Sequence, residues 1–561
     1  MSPTFSALTL ALAGLAVSSA AIGQNTGKGA AVPAQLQQSC EALATNPNLS
    51  YPGTTFTAVR TVPAGALSVA GKPIDAHCQI TGTMHTRVSA VDGQTYAIGF
   101  EMRLPTQWNG RFFYQANGGL DGYVGTAVGD IGGSAQVDNP LHMGFAVIDS
   151  DTGHNGNQNP LFGLDPQARL DYGYQAVQAL TPMAKHTIQT AYGKPPDVSY
   201  FGGCSNGGRH AMVAAARDAQ DYDGILAGDP GFHLPKAAIA DMAAAQQLAA
   251  LTDGNDVQSG LTRAERAFVA SRIVATCDAL DGVSDGMVQN VSACQTRFSL
   301  ARNVPTCGSA GRTGQCLTQA QKQALDAIHA GPQNSAGTAL YAPFFYDPGI
   351  GSGDWANWRQ NASMNLVPAS VAFLFETPPE NTSVNQNLAQ FTLHFNLDRD
   401  APKIFATSGQ YTESAWSFMG PPDETHLTTL KSRGGKLLIY HGTGDGIFSF
   451  ADTVDWYQRL TTADPNAGSF ARLFPVPGMG HCGGGPSTDQ FDALTPLIAW
   501  VEQGQAPTAI TATARGAGSG SPNGEVPSNW SSQRSRPLCP YPQVAQYVAG
   551  NVESASSFTC Q

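Results

Sequence analysis

The sequence predicts an α/β protein built around a mostly parallel β-sheet, and three features support this prediction. Short apolar strands alternate with helical segments between residues 97 and 227, an alternation typical of parallel sheets. A serine bracketed by glycines, at 203–207, joins one strand to a helix. After a long interruption, apolar strands at 436–440 and 471–476 restore the sheet pattern. We therefore expect one sheet-based domain that carries a large insertion.

The individual elements follow from local composition. The expected strands are short, apolar and bounded by Gly, Pro or Asn, whereas the expected helices show apolar residues at helical spacing or runs of alanine. In chain order we predict strands at 97–104, 111–116 and 144–149, a helix at 165–189, a strand at 197–202, a helix at 208–218, strands at 224–227, 436–440 and 471–476, and a helix at 489–502.

The length of 561 residues exceeds what one compact core accommodates. At the N-terminus, an apolar run followed by small residues is typical of a secretory signal peptide, although the first lysine comes only at Lys28. We predict a signal peptide at 1–23, a Gly/Ala linker at 24–39, the first part of the sheet domain at 40–231, an inserted lid domain at 232–433 and the second part of the sheet domain at 434–561.

The composition indicates the cellular compartment of the protein and the classes of partner it is expected to bind. The net charge of −12 and the low charged content of 13% argue against nucleic acid and anionic membrane surfaces as partners. Ten cysteines without a C-x-x-C motif indicate disulfides formed in an oxidising compartment. No segment after the leader approaches the roughly 20 apolar residues of a membrane span. We expect a soluble protein that is secreted or periplasmic.

The segment 203–207 reads Gly-Cys-Ser-Asn-Gly and has the G-x-S-x-G spacing of a nucleophile elbow. In such a turn the serine backbone is strained and its neighbours two positions away need to be nearly free of side chains. Ser205 is the predicted nucleophile. The alternative is a Gly-rich turn that contains a serine without catalytic function.

Two later loops offer an acid and a base in the order expected of an α/β-hydrolase fold. Asp445 directly follows the strand at 436–440, and His481 lies in a Gly-rich loop directly after the strand at 471–476. We predict Asp445 as the acid and His481 as the base. Three other aspartates are less favoured as the acid. Asp229 follows a different strand, and Asp452 and Asp455 come slightly later in a segment with helical character.

An oxyanion hole requires the backbone N–H of the residue after the nucleophile, which is Asn206. The second N–H comes from an early strand-to-helix loop, and the strand at 111–116 ends in Asn-Gly-Gly. Gly119 is the predicted second donor. Gly118 is an alternative, and an ordinary Gly-Gly turn is another.

Two cysteines, Cys204 and Cys482, adjoin the predicted nucleophile and base. If the triad is correct, their side chains lie close together, and a disulfide would close a loop of roughly 280 residues, worth about 5 kcal/mol in the chain-entropy model. The competing interpretation makes Cys204 a thiolate nucleophile that works with His481.

An acidic loop in the insertion carries Asp278, Asp281 and Asp285 within eight residues. Such close carboxylates repel one another unless a hard cation joins them, and Ca²⁺ suits an exported protein. A solvated acidic turn is the alternative.

Four motifs together resemble the tannase and feruloyl esterase family of α/β-hydrolases, which also contains terephthalate monoester hydrolases. They are Gly-Gly-Cys-Ser-x-Gly-Gly-Arg at 202–209, Cys-Asp-x-x-Asp-Gly-x-x-Asp-Gly at 277–286, His-Gly-x-x-Asp at 441–445 and Gly-x-Gly-His-Cys-Gly-Gly-Gly at 478–485. The resemblance implies a structural Ca²⁺ held by Asp278, Asp281, Asp285 and the carbonyls of Val283 and Met287, with no organic cofactor. It also implies the disulfides Cys40–Cys78, Cys204–Cys482, Cys277–Cys294, Cys307–Cys316 and Cys539–Cys560.

The same resemblance implies a serine esterase that cleaves small esters of aromatic acids. Phe448, three residues after Asp445, resembles a family position that borders the substrate. A substrate with a free carboxylate would require a cation, and the candidates between 331 and 423 are Arg359, Arg399 and Lys403. We favour phenolic esters, with a terephthalate monoester as the alternative substrate. An exported aromatic-ligand-binding protein without catalysis is the alternative of another class. Oligomeric state is not predicted.

Overall fold

The computed structural model describes residues 1, 27–133, 137–254, 256–309 and 311–561. The predicted signal peptide lies outside the described residues except for Met1. Among the described residues, no helix combines the length and apolar character needed to cross a bilayer.

A nine-stranded mixed sheet forms the centre of the molecule. Its spatial order is β9-β8-β7-β6-β4-β5-β3-β2-β1. Strands β4 to β9 run parallel to one another, whereas β1, β2 and β3 pair antiparallel at one edge. The strands are β1 Thr54–Val62, β2 His77–Val88, β3 Thr95–Pro105, β4 Arg111–Gln115, β5 Ala146–Ser150, β6 Val198–Cys204, β7 Gly224–Gly228, β8 Lys436–Gly442 and β9 Ala471–Val476.

The antiparallel edge is where the sheet differs from the prediction. Strands β1 and β2 were not predicted, and they make the sheet mixed rather than simply parallel. Strand β1 is polar and mostly open to solvent on both faces, so it lacks the continuous apolar run that identifies the buried strands.

Within the described residues, seven helices have ten or more residues. They are α1 Ala176–Tyr192, α2 Asn206–Arg217, α3 Leu234–Ala249, α4 Arg263–Cys277, α5 Gln319–Ala330, α6 Phe450–Ala463 and α7 Leu494–Gln503. Helix α1 ends at Gly193, whose φ of 76° is the left-handed conformation that glycine adopts freely at a helix C-terminus. Shorter helices are Cys40–Ala44, Pro166–Leu170, Val257–Gly260, Val291–Arg297, Leu300–Asn303, Gly353–Ala356, Leu366–Ser370, Leu388–His394, Ala415–Met419 and Thr428–Ser432.

The core lies on both faces of the sheet. Neighbouring strand residues face opposite sides, as Ile225 and Leu226 of β7 show. On one face the strands pack with α1, α2 and α6, and on the other with α7, whose Trp500 is fully buried. This arrangement gives helix–sheet–helix layers, in agreement with the predicted α/β class.

Between β7 and β8 the described residues form helices, turns and isolated β-bridges. This segment, predicted as 232–433, has its own buried cluster that includes Val269 and Leu325. A second cluster joins Val371 and Phe418 of the segment to Tyr172 and Phe448 of the sheet domain. The insertion therefore packs directly over the ends of the strands.

Residues 27–39 and the C-terminal segment both contact the sheet domain. Residues 27–39 were predicted as a linker, yet the N–H groups of Lys28 and Gly29 donate to carbonyls at the end of α7, at 3.0 and 3.1 Å. Strand Ala34–Gln35 also pairs with Gln107–Trp108. The C-terminal segment adds a small sheet of Gln490–Phe491, Ile510–Thr513 and Ser535–Leu538, and a strand pair formed by Ala545–Tyr547 and Phe558–Cys560. A separate two-stranded pair, Ser68–Val69 with Lys72–Pro73, lies between β1 and β2 in the chain.

Candidate active site

Ser205 lies at the turn between β6 and α2. Its φ of 66° and ψ of −125° are unusual for a residue with a side chain, as the elbow motif predicts. A Cβ on Gly203 or Gly207 would lie 2.5 or 2.4 Å from the carbonyl oxygen of Ala116. The two glycines are therefore required by close backbone packing, and the turn presents the serine hydroxyl at the end of the sheet.

His481 and Asp445 form a continuous hydrogen-bonded relay with this hydroxyl. Ser205 Oγ lies 2.8 Å from Nε2 of His481, and Nδ1 of His481 lies 2.8 Å from Oδ2 of Asp445. The other oxygen of Asp445 accepts the N–H groups of Ile447 and Phe448 at 2.8 and 3.0 Å. The loops after β6, β8 and β9 thus bring together three side chains that are far apart in sequence.

The charges of this relay favour an imidazolium. Burial opposes ionisation of Asp445, but the charge of His481 and the hydrogen bond from His441 outweigh burial and hold the pKa of Asp445 well below its usual range. Burial alone would lower the pKa of His481, but the Asp445 carboxylate dominates and raises it to about 9. The relay can therefore stabilise a proton taken from the serine.

Cys204 and Cys482 are joined by a disulfide with a Cα–Cα distance of 6.1 Å. The bond links the residue before Ser205 to the residue after His481. A disulfide-bonded sulfur has no thiolate to attack a substrate, so the competing cysteine-nucleophile interpretation finds no support in this structure. The other four pairs are Cys40–Cys78, Cys277–Cys294, Cys307–Cys316 and Cys539–Cys560.

The two proposed oxyanion donors face the same space beside Ser205. Asn206 is the first residue of α2, where the helix itself offers no acceptor for the backbone N–H. Gly119 lies on the loop after β4, and both residues line a cavity with Ser205. A Cβ on Gly118 would lie 3.7 Å from that of Ser205, so the alternative donor is also close.

That cavity is bordered mainly by apolar and aromatic side chains. We call it the aromatic cavity. Its lining residues are Gly119, Leu120, Tyr172, Ser205, Asn206, Leu234, Ala238, Trp358, Leu366, Val367, Ser370, Phe375, Ile447 and Phe448. Phe448 is one of these lining residues, and its ring centroid is 5.1 Å from that of His481.

Three π-helical turns each supply one aromatic side chain to the aromatic cavity. The turns are Asp171–Gln175, Asn357–Asn361 and Val371–Phe375, and the side chains are Tyr172, Trp358 and Phe375. Such turns occur frequently at functional sites. Sequence reasoning predicted a helix over this segment but did not identify Tyr172 as a residue of the site.

The three candidate cations for a substrate carboxylate contact acidic side chains instead. Arg359 is buried 3.3 Å from Asp241, Arg399 pairs with Asp400, and Lys403 pairs with acidic neighbours of its own. None of the three lines the aromatic cavity, and neither Lys nor Arg occurs among its described lining residues.

The acidic loop of the insertion has one feature of a cation site. Asp281 is buried, one of its carboxylate oxygens has no hydrogen-bond partner among the described residues, and burial raises its pKa to about 7. Asp278 instead accepts backbone N–H groups of 285–287, and Asp285 contacts the guanidinium of Arg536. Among the described residues of this loop, Asp281 therefore offers an unpartnered oxygen of the kind a hard cation prefers, whereas the oxygens of Asp278 and Asp285 accept from protein donors.

Comparison with known proteins gives a consistent result. The family model described as tannase and feruloyl esterase matches residues 78–561. Mono(2-hydroxyethyl) terephthalate hydrolase from Piscinibacter sakaiensis is 40% identical over 574 aligned residues, covering 94% of this chain and 92% of that protein. Feruloyl esterase B from Aspergillus niger is 27% identical, with 82% of this chain and 83% of that protein covered.

A solved structure shares the fold. The crystal structure of feruloyl esterase B from Aspergillus oryzae matches with a TM-score of 0.72 at 24% identity, covering 93% of this chain and 99% of that one. At this identity the likeness bears on the fold alone.

Proposed function

Since the chain belongs to the tannase and feruloyl esterase family of carboxylic ester hydrolases, we propose that it is a secreted serine esterase acting on esters of phenolic acids. The observation that carries this proposal is the relay from Ser205 through His481 to Asp445, which adjoins an uncharged aromatic cavity. A binding protein without catalysis would not need this geometry, which disfavours that alternative.

In the proposed mechanism Ser205 attacks the ester carbonyl while Nε2 of His481 accepts the hydroxyl proton. The N–H groups of Asn206 and Gly119 stabilise the negative oxygen of the tetrahedral intermediate. His481 then donates the proton to the departing alcohol and leaves an acyl-enzyme at Ser205. Water, deprotonated by His481, attacks the acyl-enzyme and releases the aromatic acid.

The aromatic cavity is proposed to hold the ring of the acyl group. Flat rings gain from contact with aromatic side chains such as Trp358 and Phe375, whereas a buried carboxylate without a cationic partner is costly. A terephthalate monoester is the second candidate substrate, because a relative named for that activity is 40% identical. The lining residues favour a neutral acyl group.

A substrate panel tests the proposed function directly. We expect hydrolysis of methyl ferulate, methyl gallate or chlorogenate, and we expect dimethyl terephthalate to exceed its monomethyl ester by at least about tenfold in kcat/KM. The two terephthalate esters differ only by one methyl group and one charge. Equal or greater activity on the monoester would favour the second candidate, and no activity on any ester would contradict the proposed function.

The pH dependence follows from the raised pKa of His481. The base acts only when neutral, so kcat/KM is expected to rise with pH through that pKa, which lies above the ordinary imidazole value of 6.5 and near 9. A profile measured from pH 5 to 10 checks this. The residual activity of Asp445→Asn is expected to rise at lower pH, since the carboxylate that raises the pKa is gone. A wild-type plateau already reached by pH 6 would contradict the assignment.

We further propose that the acidic loop holds a structural Ca²⁺ and that the insertion acts as a lid over the aromatic cavity. Asp278, Asp281 and Asp285, with the carbonyls of Val283 and Met287, would be the ligands. A bound cation there would offset the repulsion among the carboxylates and brace the fold of the insertion. The acidic loop lies outside the catalytic relay, so the cation is assigned no catalytic step.

Chelation distinguishes a structural from a catalytic cation. With EDTA we expect a lower Tm, while the rate at low temperature changes little, because the relay does not use the metal. Asp281→Asn is the matched variant, and its Tm is expected to be low and insensitive to EDTA. Immediate loss of activity with the fold intact would mean that the cation acts in catalysis.

A further inference from the structure

A buried polar cluster lies behind the two proposed oxyanion donors. Its central residue is Asn206, whose side chain is fully buried. Asn206 Oδ1 accepts a hydrogen bond from Arg209 Nε at 2.6 Å, and Asn206 Nδ2 donates to Asp121 Oδ2 at 3.0 Å. One amide thus connects a buried cation to a buried carboxylate.

The partners of this amide have further contacts inside the cluster. Arg209 is fully buried, and its terminal N–H groups reach the backbone carbonyls of Gly173 and Tyr172 at 2.9 Å each. Asp121 Oδ2 accepts from Thr152 at 3.0 Å as well as from Asn206, and His210 Nε2 lies 3.0 Å from that oxygen and 2.9 Å from Arg209 Nη2. A guanidinium can only donate, so the Asn206 oxygen faces Arg209 and its NH2 group faces Asp121, which fixes the orientation of the amide.

The cluster spans both halves of the proposed oxyanion hole. Asp121 lies two residues after Gly119 on the loop that follows β4, whereas Asn206 follows the nucleophile. The Tyr172 hydroxyl makes a second connection, because it lies 3.0 Å from the Gly119 carbonyl oxygen and 3.1 Å from Asn206 Oδ1. The two N–H donors belong to different loops, and these side chains are what join the loops beside Ser205.

We propose that the Asn206 side chain, clamped between Arg209 and Asp121, is a positioning device that sets the spacing of the two oxyanion-hole N–H groups. The inference rests on the proposed function. Stabilisation of an oxyanion depends on donors that are already in place, and a displacement of about 1 Å can lower a rate by about 100-fold. The side chains of Asn206, Asp121 and Arg209 act here through the backbone donors, and only the N–H of Asn206 contacts the substrate.

The test exchanges the donor and the acceptor of the clamp. Asn206→Asp places a carboxylate oxygen against Asp121 Oδ2 and is expected to lower kcat by about 10- to 100-fold, whereas Asp121→Asn alone keeps an oxygen that accepts from Asn206 and is expected to change kcat little. The double variant, Asp121→Asn with Asn206→Asp, restores one donor and one acceptor. It is expected to recover at least about tenfold of the loss, a rescue that general destabilisation would not produce.

A tetrahedral inhibitor separates positioning from folding. An aryl boronic acid adds to the serine hydroxyl and places an oxygen in the oxyanion hole, so its inhibition constant is expected to rise by the same factor as kcat falls. KM and the inhibition constant of the free aromatic acid are expected to stay within about threefold. The control for general loss of a buried hydrogen bond is Thr181→Val in α1. It removes the contact between the hydroxyl groups of Thr181 and Tyr222.

Each outcome bears on the proposal. Unchanged kcat or boronic acid affinity in Asn206→Asp, or no rescue in the double variant, would overturn it. If these variants fail to fold, Tyr172→Phe tests the same bridge, with kcat expected to fall by about fivefold and the boronic acid inhibition constant expected to rise by the same factor. A wild-type protein inactive on every ester contradicts the proposed function, whereas an active wild type with a normal Asn206→Asp variant contradicts the positioning device alone.

Discussion

Ser205→Ala is expected to lower kcat for ester hydrolysis by on the order of 10⁵-fold. Removal of the hydroxyl takes away the atom that forms the acyl-enzyme, and the members of such a relay act as a unit, so His481 and Asp445 cannot compensate. The remaining oxyanion donors and the aromatic cavity still bind the ester, so substrate affinity is expected to change little. Steady-state kinetics on the best substrate of the panel, with binding measured separately, checks both expectations.

The control for this result is removal of the neighbouring sulfurs. Cys204→Ala with Cys482→Ala leaves Ser205, His481 and Asp445 in the chain, so measurable turnover is expected to persist. A fluorophosphonate probe is expected to label this control and to leave Ser205→Ala unlabelled. The reverse pattern, with activity lost in the cysteine variant and kept in Ser205→Ala, would assign the nucleophile to sulfur and discard the proposed mechanism.

The positions of the relay residues could be predicted because each depends on local sequence. The elbow needs glycines on both sides of Ser205, and the approach of Ala116 to Gly203 and Gly207 explains that need. Asp445 and His481 directly follow apolar strands, and parallel strands bring their carboxyl ends to one edge of the sheet. Local patterns of this kind can be recognised in the sequence without knowledge of tertiary contacts.

Other features depend on contacts that local patterns do not encode. Tyr172 lies in a π-helical turn and lines the aromatic cavity, and nothing in the helical pattern predicted for this segment marks such a turn. Strand β1 is identified by its pairing with β2 and lacks an apolar run of its own. The packing of residues 27–39 against the end of α7 likewise depends on backbone groups far away in sequence.

The contacts of the Asn206 side chain behind the proposed oxyanion hole could not be predicted from the sequence for the same reason. Arg209 belongs to the motif around the elbow and bonds Asn206 within α2, but its hydrogen bonds to the carbonyls of Gly173 and Tyr172 depend on a π-helical turn 36 and 37 positions away in the sequence. In the sequence Asn206 could be assigned a role only through its backbone N–H. Its side chain connects to Asp121, 85 positions away.

The disulfide between Cys204 and Cys482 is expected to contribute to both stability and rate. It closes a loop with a sequence separation of 278, and the chain-entropy model assigns such a loop about 5 kcal/mol, or a Tm decrease of about 5 °C for a chain of this size when the bond is removed. Removal also frees the His481 loop, so kcat is expected to fall by about tenfold while KM changes less. Differential scanning calorimetry and kinetics measure the two effects.

The matched comparison is removal of the Cys307–Cys316 bond, whose sequence separation is 9. The same model assigns that loop about 3 kcal/mol, so Cys307→Ala with Cys316→Ala is expected to lower Tm by about half as much. This bond lies in the insertion, away from Ser205 and His481, and kcat is expected to stay within about twofold. If both double variants lost kcat equally, the bond beside the relay would have no special role in holding His481 against Ser205, and its effect would be one of stability alone.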